Sequence, residues 1–420
     1  MSRFVFDEYT FDSETGEALF RYYFEGGLEF TERVQFSVKN EYNADVLDRV
    51  LFLAFTLIGT SYYKTFPTSD VLFAHHTLDD GQALFLNKVY QEGLSQFAFE
   101  NKLMRTDLAV FTPNGLTGSA ISYGGDGVVQ LQSGGKDSLL TATLLSESDV
   151  VAAPLYISSG STHPVVIDQL GKPVVVRRTI DHAGLLEAKN KGGLNGHVPV
   201  TYIVLGISLV QAVLDNKNIV VASIGHEGEE PHDWIGDLPV NHQWSKTWQA
   251  EQLFADYVSR YISPDIFVGS PLRQYSELKV AELFAEKVWE KFGHSFSSCN
   301  AANYGQGVNN TTLAWCGVCP KCANSYLLFA PFVEPVELQS LFGGKDLFAD
   351  PILADTFKGL LGVEGVMKPF ECIGEVAELR WAYHAACSRM FAELPFTVPS
   401  SSFDKERRYD MQPWAAGLVQ

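Results

Sequence analysis

The string Ser133-Gly134-Gly135-Lys136-Asp137-Ser138 constrains this chain more than any other. It follows the apolar run Val128 to Leu131 and leads into a helical stretch that extends through Leu145. A strand that turns through glycines into a helix is a unit of α/β architecture. Its helix N-terminus and successive backbone N–H groups form a cradle for an anion. The glycines let the backbone approach a phosphate closely. Ser133 and Ser138 add hydroxyl donors, and Lys136 adds charge. Asp137 is out of keeping with a pure phosphate grip; it either caps the helix or helps hold Mg²⁺ beside a pyrophosphate. The string is not a Walker A loop, because Asp137 stands where Ser or Thr must follow the lysine. The bland alternative is a glycine-rich turn with no ligand. A second Gly-Gly-Lys-Asp, at 343 to 346, lacks the flanking serines and a preceding strand, and is expected to be a plain loop.

Further candidate strands lie at Val150 to Ile157, Val174 to Val176 and Ile219 to Ser223, with a helix over 199 to 215 between them. Strands alternating with helices predict a parallel sheet. Residues 4 to 38 instead alternate as short antiparallel strands, followed by a helix over 44 to 58. An amphipathic helix is expected over 277 to 292, and another over 375 to 391. The division expected is an N-terminal α+β domain (1–122), a phosphate-loop α/β domain (123–294), and a cysteine-rich segment with a mostly helical C-terminal region (295–420).

Of 420 residues, 46% are hydrophobic, enough for a core and against wholesale disorder. The net charge of −19 argues against a general grip on nucleic acid. No run reaches the ~18 apolar residues of a membrane span. The nearest, Pro199 to Leu214, is broken by Thr201, Ser208 and Gln211. The first ten residues carry Asp7 and Glu8 where a signal peptide is basic and then apolar. A cytoplasmic protein without membrane or nucleic-acid partners is expected.

Cys316-x2-Cys319-x2-Cys322 lies 17 residues beyond Cys299. Four thiolates suit a tetrahedral structural Zn²⁺ site, with Gly317 and Pro320 supplying the tight turns. An iron–sulfur cluster competes, although Tyr326 stands where ferredoxin spacing needs a fourth cysteine. Ordinary reduced thiols are the third possibility. Cys387 is expected in the core of the last helix. Cys372 follows the turn Lys368-Pro369 and is the more notable of the two, with a buried thiol beside a turn as the bland alternative.

The polar stretch Gly225 to Asp233 follows the last of these strands, where parallel sheets bind ligands. His226 and, further on, His242 and Lys246 are candidate site residues, against the alternative of a solvated acidic loop. Arg273 offers a planar fork for a substrate carboxylate or phosphate.

Ser-Gly-Gly-x-Asp-Ser resembles the PP-loop of the ATP pyrophosphatase superfamily, which implies an adenine nucleotide α-hydrolase-like core. Paired with four cysteines it resembles the 7-cyano-7-deazaguanine synthases, which are considerably shorter. Longer strings point elsewhere: Ser61-Tyr62-Tyr63-Lys64, Asn195-Gly196-His197-Val198-Pro199-Val200-Thr201 and Val240-Asn241-His242-Gln243-Trp244-Ser245-Lys246. Two more are Trp315-Cys316-Gly317-Val318-Cys319-Pro320-Lys321-Cys322 and Gly365-Val366-Met367-Lys368-Pro369-Phe370-Glu371-Cys372. Together, over about residues 20 to 390, they resemble the UDP-N-acetylmuramoyl-L-alanyl-L-glutamate epimerases of bacterial peptidoglycan synthesis.

That resemblance implies conversion of a terminal L-Glu to D-Glu, with ATP and Mg²⁺ consumed to AMP and diphosphate, and a functional pairing with an L-glutamate-adding muramoyl ligase. It implies Ser133, Gly134, Gly135, Lys136, Asp137 and Ser138 on the ATP phosphates. Lys246 or Arg273 would meet a substrate anion. His226, His242, Glu371 and Cys372 are the candidates for proton transfer. Cys299, Cys316, Cys319 and Cys322 are the candidate metal ligands. Another PP-loop adenylating enzyme, a nitrile synthase or a tRNA-modifying thiolase, is the alternative, with acidity weighing against tRNA. A zinc-stapled binding module without activity is the third reading.

Overall fold

The computed structural model describes residues 3–39, 41–160, 162–304 and 311–419. It is an α/β fold built on a nine-stranded sheet, with a mostly helical C-terminal region. The strands are β1 (Phe4–Phe11), β2 (Glu17–Phe24), β3 (Leu28–Gln35), β4 (Val71–Phe73), β5 (Val128–Leu131), β6 (Ala152–Ser158), β7 (Val174–Thr179), β8 (Ile219–Val221), β9 (Asp233–Ile235), β10 (Leu238–Val240) and β11 (Phe267–Gly269). The order is β11-β8-β5-β6-β7-β3-β2-β1-β4, and β9 and β10 form a separate hairpin.

The five strands β11, β8, β5, β6 and β7 are parallel. β3 pairs antiparallel with β7, setting Arg33 opposite Thr179 and Gln35 opposite Arg177. The edge that β7 would otherwise expose is thereby covered. Strands β1 to β4 thus extend the sheet formed by β5 to β8 and β11. Glu32, fully buried in β3, seals the seam through Arg178 of β7 at 2.6 Å and the Tyr62 hydroxyl at 2.7 Å.

Each face of the sheet carries its own core. In β6, Leu155 joins the core on one face and Tyr156 the core on the other, as the two-residue period of a strand requires. The first core holds the aromatic N-terminal strands and the helices Ala44–Ile58 and Val200–Leu214. The second packs the helices Lys136–Glu147 and Glu277–Lys287 against the C-terminal helices Pro320–Phe329 and Val376–Cys387. A sheet buried on both faces reads as apolar runs, which is why Val128 to Leu131 shows no alternation in sequence.

From β5 the chain moves one way to β6 and β7, whereas β8 and β11 lie on the other side. The crevice beyond the carboxyl ends of β5 and β8 is therefore the topological switch point, where open α/β sheets bind ligands. Among the described residues no helix is long and apolar enough to cross a membrane. The 343–346 string is a plain loop. Gly343 and Gly344 adopt positive φ in open space, and Asp346 accepts from the Tyr326 hydroxyl and the Phe348 amide, both at 3.0 Å.

Candidate active site

The 133–138 string is the turn between β5 and the helix Lys136–Glu147. Gly134 takes φ +74°, and a Cβ there would lie 2.7 Å from both Leu313 and Val166. The loop is held by its own hydroxyls. The Gly135 amide donates to Ser133 Oγ at 3.3 Å, and Ser138 Oγ donates to the Gly135 carbonyl at 3.2 Å. Beneath it, Gln130 and Gln132 donate to the Ser138 carbonyl, each at 2.8 Å.

Lys136, only 3% exposed, folds back on the carboxylates of Asp137 and Glu277, the latter at 3.1 Å. Burial works against ionisation of Asp137, but Lys136, Lys321 and Lys246 outweigh it and hold the carboxyl below its usual range. Burial pushes Glu277 up to about 7, against the pull of Lys136 and with the push of Asp137 and Glu227. One buried oxygen of Glu277, Oε1, has no hydrogen-bond partner among the described residues. An ionised Asp137 beside an unpartnered carboxylate oxygen is a donor set that suits a hard cation such as Mg²⁺.

The loop after β8 brings Glu227, and the segment after β10 brings His242, Gln243 and Lys246. Lys246 Nζ lies 3.2 Å from Glu227 Oε2, and the Gln243 amide donates to the same oxygen at 2.8 Å. Burial opposes the charge on Lys246, but Cys372, Glu227, Asp137 and Glu277 together lift its pKa well above the ordinary lysine value.

His242, Glu371 and Cys372 come together, their ligand atoms all within 4.8 Å of one another. Gln96 commits its amide nitrogen to Glu100 at 2.7 Å, and its oxygen meets His242 Nδ1 at 2.7 Å. Nδ1 therefore carries the proton, and Nε2 is left as an acceptor facing Cys372 Sγ at 3.9 Å. Burial, aided by Lys246 and Lys321 against Glu371 and Glu100, pushes His242 down to about 4, so the imidazole is neutral at pH 7. Glu371 Oε2 accepts from Asn300 at 3.1 Å and from the Cys372 amide at 3.2 Å.

Two expected residues are placed differently. Arg273 is fully buried and spent on the protein: Nε and Nη2 donate to Glu251 at 3.0 and 2.9 Å, and Nη1 donates to the carbonyls of Gly225 and Lys246, both at 2.8 Å. It braces the backbone of two site loops rather than offering its fork to a ligand. His226 stacks on Tyr409, ring centroids 3.6 Å apart, and no contact joins it to the His242 trio among the described residues. Burial pushes it down to about 4.

The four clustered cysteines form one cage. Sγ separations are 3.7 Å for Cys299–Cys319, 3.7 Å for Cys316–Cys322 and 3.6 Å for Cys319–Cys322. A tetrahedron with metal–sulfur bonds of ~2.3 Å has edges of about 3.8 Å. The cage fits one ion and leaves no space at its centre for a polynuclear cluster. Gly317, at φ +72°, points its amide at Cys322 Sγ at 3.3 Å. Asn303 ties the two halves of the cage by donating to the carbonyls of Cys299 and Ala314.

Glu227, Glu277, Gln96 and Lys321 are absent from the sequence-derived site. Lys321, between two cage cysteines, donates to the Cys372 carbonyl.

Residues 1–268 match the family described as MurL N-terminal domain, and residues 295–395 the MurL C-terminal domain. Three similar proteins each bear the name UDP-N-acetyl-alpha-D-muramoyl-L-alanyl-L-glutamate epimerase. The one from Xanthomonas oryzae pv. oryzae is 33% identical over 396 residues, covering 93% of this chain and 86% of that protein. Its counterpart from Salinispora tropica is 35% identical over 391 residues, covering 90% and 83%. The Micromonospora protein is 34% identical over 390 residues, covering 90% and 85%. The chain belongs to the MurL family.

Proposed function

We propose that this chain, as a MurL family member, is the ATP-dependent epimerase that converts the terminal L-Glu of UDP-N-acetylmuramoyl-L-Ala-L-Glu to D-Glu, in the cytoplasm and downstream of an L-glutamate-adding muramoyl ligase. The observation that carries this reading is the convergence, beside one phosphate loop, of Lys136 and Asp137 with Lys246 and the Cys372–His242 pair. A phosphate site alone would serve many transferases. A thiol and a neutral imidazole next to it serve proton transfer at an activated carbon.

The chemistry needs both parts. A carboxylate resists loss of its Cα proton, because the carbanion would form beside an existing negative charge. In the proposed reaction the α-carboxylate attacks the α-phosphorus of ATP and diphosphate leaves. The loop residues Ser133 to Ser138 hold the phosphates, with Lys136 turning from Asp137 and Glu277 towards them. Asp137 and Glu277 are the residues that would hold Mg²⁺, which would supply charge screening for the diphosphate. The acyl adenylate has no carboxylate charge, so its Cα–H is acidic enough for a side-chain base. Cys372 gives its own proton to His242 Nε2 and takes the Cα proton, and the electron pair moves onto the acyl oxygen. Gln96 and Glu100 keep Nδ1 protonated, so Nε2 stays the accepting atom. A proton delivered to the other face of the planar enolate inverts the centre, with His226 and Glu371 as its candidate sources. Water then cleaves the mixed anhydride, releasing AMP and the UDP-linked dipeptide with D-Glu at its end. Lys246 meets a substrate anion, and Arg273 holds the Lys246 backbone in place. Cys299, Cys316, Cys319 and Cys322 would hold Zn²⁺, which would act there as a structural staple rather than a catalytic ion.

The test is turnover of UDP-N-acetylmuramoyl-L-Ala-L-Glu with ATP in deuterated water. Equal amounts of AMP and of D-Glu carrying deuterium at Cα are expected. AMP release without inversion would reject epimerisation and keep adenylation. Unaltered Glu with no AMP would reject the reading altogether.

A further inference from the structure

Three ammonium groups, those of Lys136 and Lys321 buried and that of Lys246 half-buried, surround the proposed reaction centre, and their partners differ. Lys136 is paired with Asp137 and Glu277. Lys246 is paired with Glu227. Lys321 is 9% exposed and donates to the carbonyl of Cys372, and among the described residues it has no carboxylate within ion-pair distance. A buried cation held only by a carbonyl is costly to maintain unless a charged partner completes it. An ammonium has three donors, so two remain for a ligand.

Lys321 is mounted beside the four-cysteine cage. It is the second residue of the helix Pro320–Phe329, flanked by Cys319 and Cys322 of the four-cysteine cage. The backbone on both sides is therefore fixed by the cage. From there the side chain reaches the very residue assigned to proton transfer. Its charge bears on Asp137, on Glu277 and on His242. The Gly374 amide donates to Asn324 Oδ1 at 3.0 Å, so the same helix holds the 372–374 segment at a second point.

We propose that Lys321 is the cation that receives the reacting carboxyl group: its Nζ binds the α-carboxylate of the substrate's terminal Glu and then the acyl oxygen on which charge collects when the Cα proton leaves. This rests on the function proposed above. When Cys372 removes the proton, the C–H electron pair forms the C=C bond of the enolate and the carbonyl π pair moves to oxygen. Lys321 supplies a fixed N–H donor to that oxygen and needs no reorganisation at the moment of reaction. The third N–H stays on the Cys372 carbonyl, so one ammonium sets both the base and the acid-stabilised oxygen in register. The cage would in this way serve catalysis without holding a catalytic ion: it fixes the cation by fixing its helix.

Lys321→Gln is the informative variant, because the amide keeps an N–H donor but carries no charge. Metal content, melting temperature and ATP affinity are measured beside substrate affinity and deuterium incorporation at Cα. Metal content and ATP affinity are expected to stay within threefold of wild type. Substrate affinity is expected to fall at least about tenfold, and deuterium incorporation by about 10²- to 10³-fold, the loss typical of one oxyanion donor. Lys321→Arg restores the charge and is expected to recover part of both. The proposal is overturned if Lys321→Gln retains substrate affinity and exchange within threefold. It is also overturned if ATP affinity falls as far as substrate affinity, which would make Lys321 a phosphate ligand. Should the Gln variant fail to fold, the Arg variant decides: exchange at or below one per cent of wild type in a folded, metal-loaded protein would show that charge at this position is not what matters. If the wild-type protein itself does not turn over the UDP-dipeptide, the proposed function falls with this inference, and that is seen before any variant is compared.

Discussion

Gly134→Ala separates backbone strain in the phosphate loop from glycine content as such. Gly134 sits at φ +74°, where an L-residue costs about 1–2 kcal/mol. Its added methyl would also lie 2.7 Å from Leu313 Cδ1 and Val166 Cγ1. Carbon atoms prefer about 3.5–4.0 Å. Valine cannot swing away freely, so the overpacking costs roughly a further 1–3 kcal/mol. The sum, about 2–5 kcal/mol, is expressed where the structure yields most easily, which is the loop itself. At ~1.4 kcal/mol per factor of ten, ATP affinity is expected to fall by about 30-fold to a few thousandfold. Gly343→Ala is the matched control. It has φ +68°, but no atom lies within 4 Å of the new Cβ. It should lower stability by about 1 kcal/mol and leave ATP affinity unchanged. Gly135→Ala is a second control for strain, since Gly135 has φ −85° and its nearest contacts are 3.3 Å. Titration calorimetry and thermal melting of all three variants read the effect. Wild-type ATP affinity in Gly134→Ala, or an equal loss in Gly343→Ala, would refute the reasoning.

Cys316→Ser is expected to lose the bound ion and at least about 3 kcal/mol of stability, because metal binding at such a cage is folding energy; metal analysis showing iron and sulfide, or a metal-free wild type of equal stability, counts against the zinc reading. Arg273→Lys offers three donors where the structure uses four, so stability should drop by about 1–3 kcal/mol while substrate KM stays within threefold; a raised KM at unchanged melting temperature would return Arg273 to direct substrate contact. Stability should also peak near pH 6. Burial pushes His226, His232 and His242 down to about 4 and His197 to about 3, so as pH falls below the ordinary 6.5 the unfolded chain binds more protons and stability drops. Burial pushes Glu277 and Glu375 up to about 7 and Glu378 to about 8, so the folded chain keeps protons that the unfolded chain has lost, and stability drops as pH rises through 7 to 8. A melting temperature still climbing at pH 8 would contradict this balance.

What the sequence disclosed was local. The strand, glycine turn and helix around Ser133 to Ser138 lie within about twenty consecutive residues, and their order alone fixes the architecture. The spacing of Cys316, Cys319 and Cys322 is equally local, and Cys299 was reached because few other cysteines compete. Helix 44–58 was readable because one stripe of Leu47, Val50, Leu51, Ala54 and Ile58 faces a core. The pairing of β3 with β7 had no local sign: the partners are separated by over a hundred residues, and the alternation of β3 is the same whichever strand lies beside it.

Buried charge was the other gap, and for a physical reason. Glu277 opens an amphipathic helix, where an acidic residue ordinarily serves the helix dipole at the surface. Here it is 2% exposed because Lys136, far away in sequence, folds onto it. Arg273 runs the opposite way: the chemistry that fits a guanidinium to a substrate carboxylate fits it equally to Glu251, and the fold pairs it there. Sequence supplies the functional group but not the partner that consumes it, so a charged residue can be assigned to a ligand only after its intramolecular partners are counted. That count spends Arg273, pairs Lys136 and Lys246 with carboxylates, and leaves Lys321, which looked like a spacer between two cysteines, as the cation of the three without a carboxylate partner among the described residues.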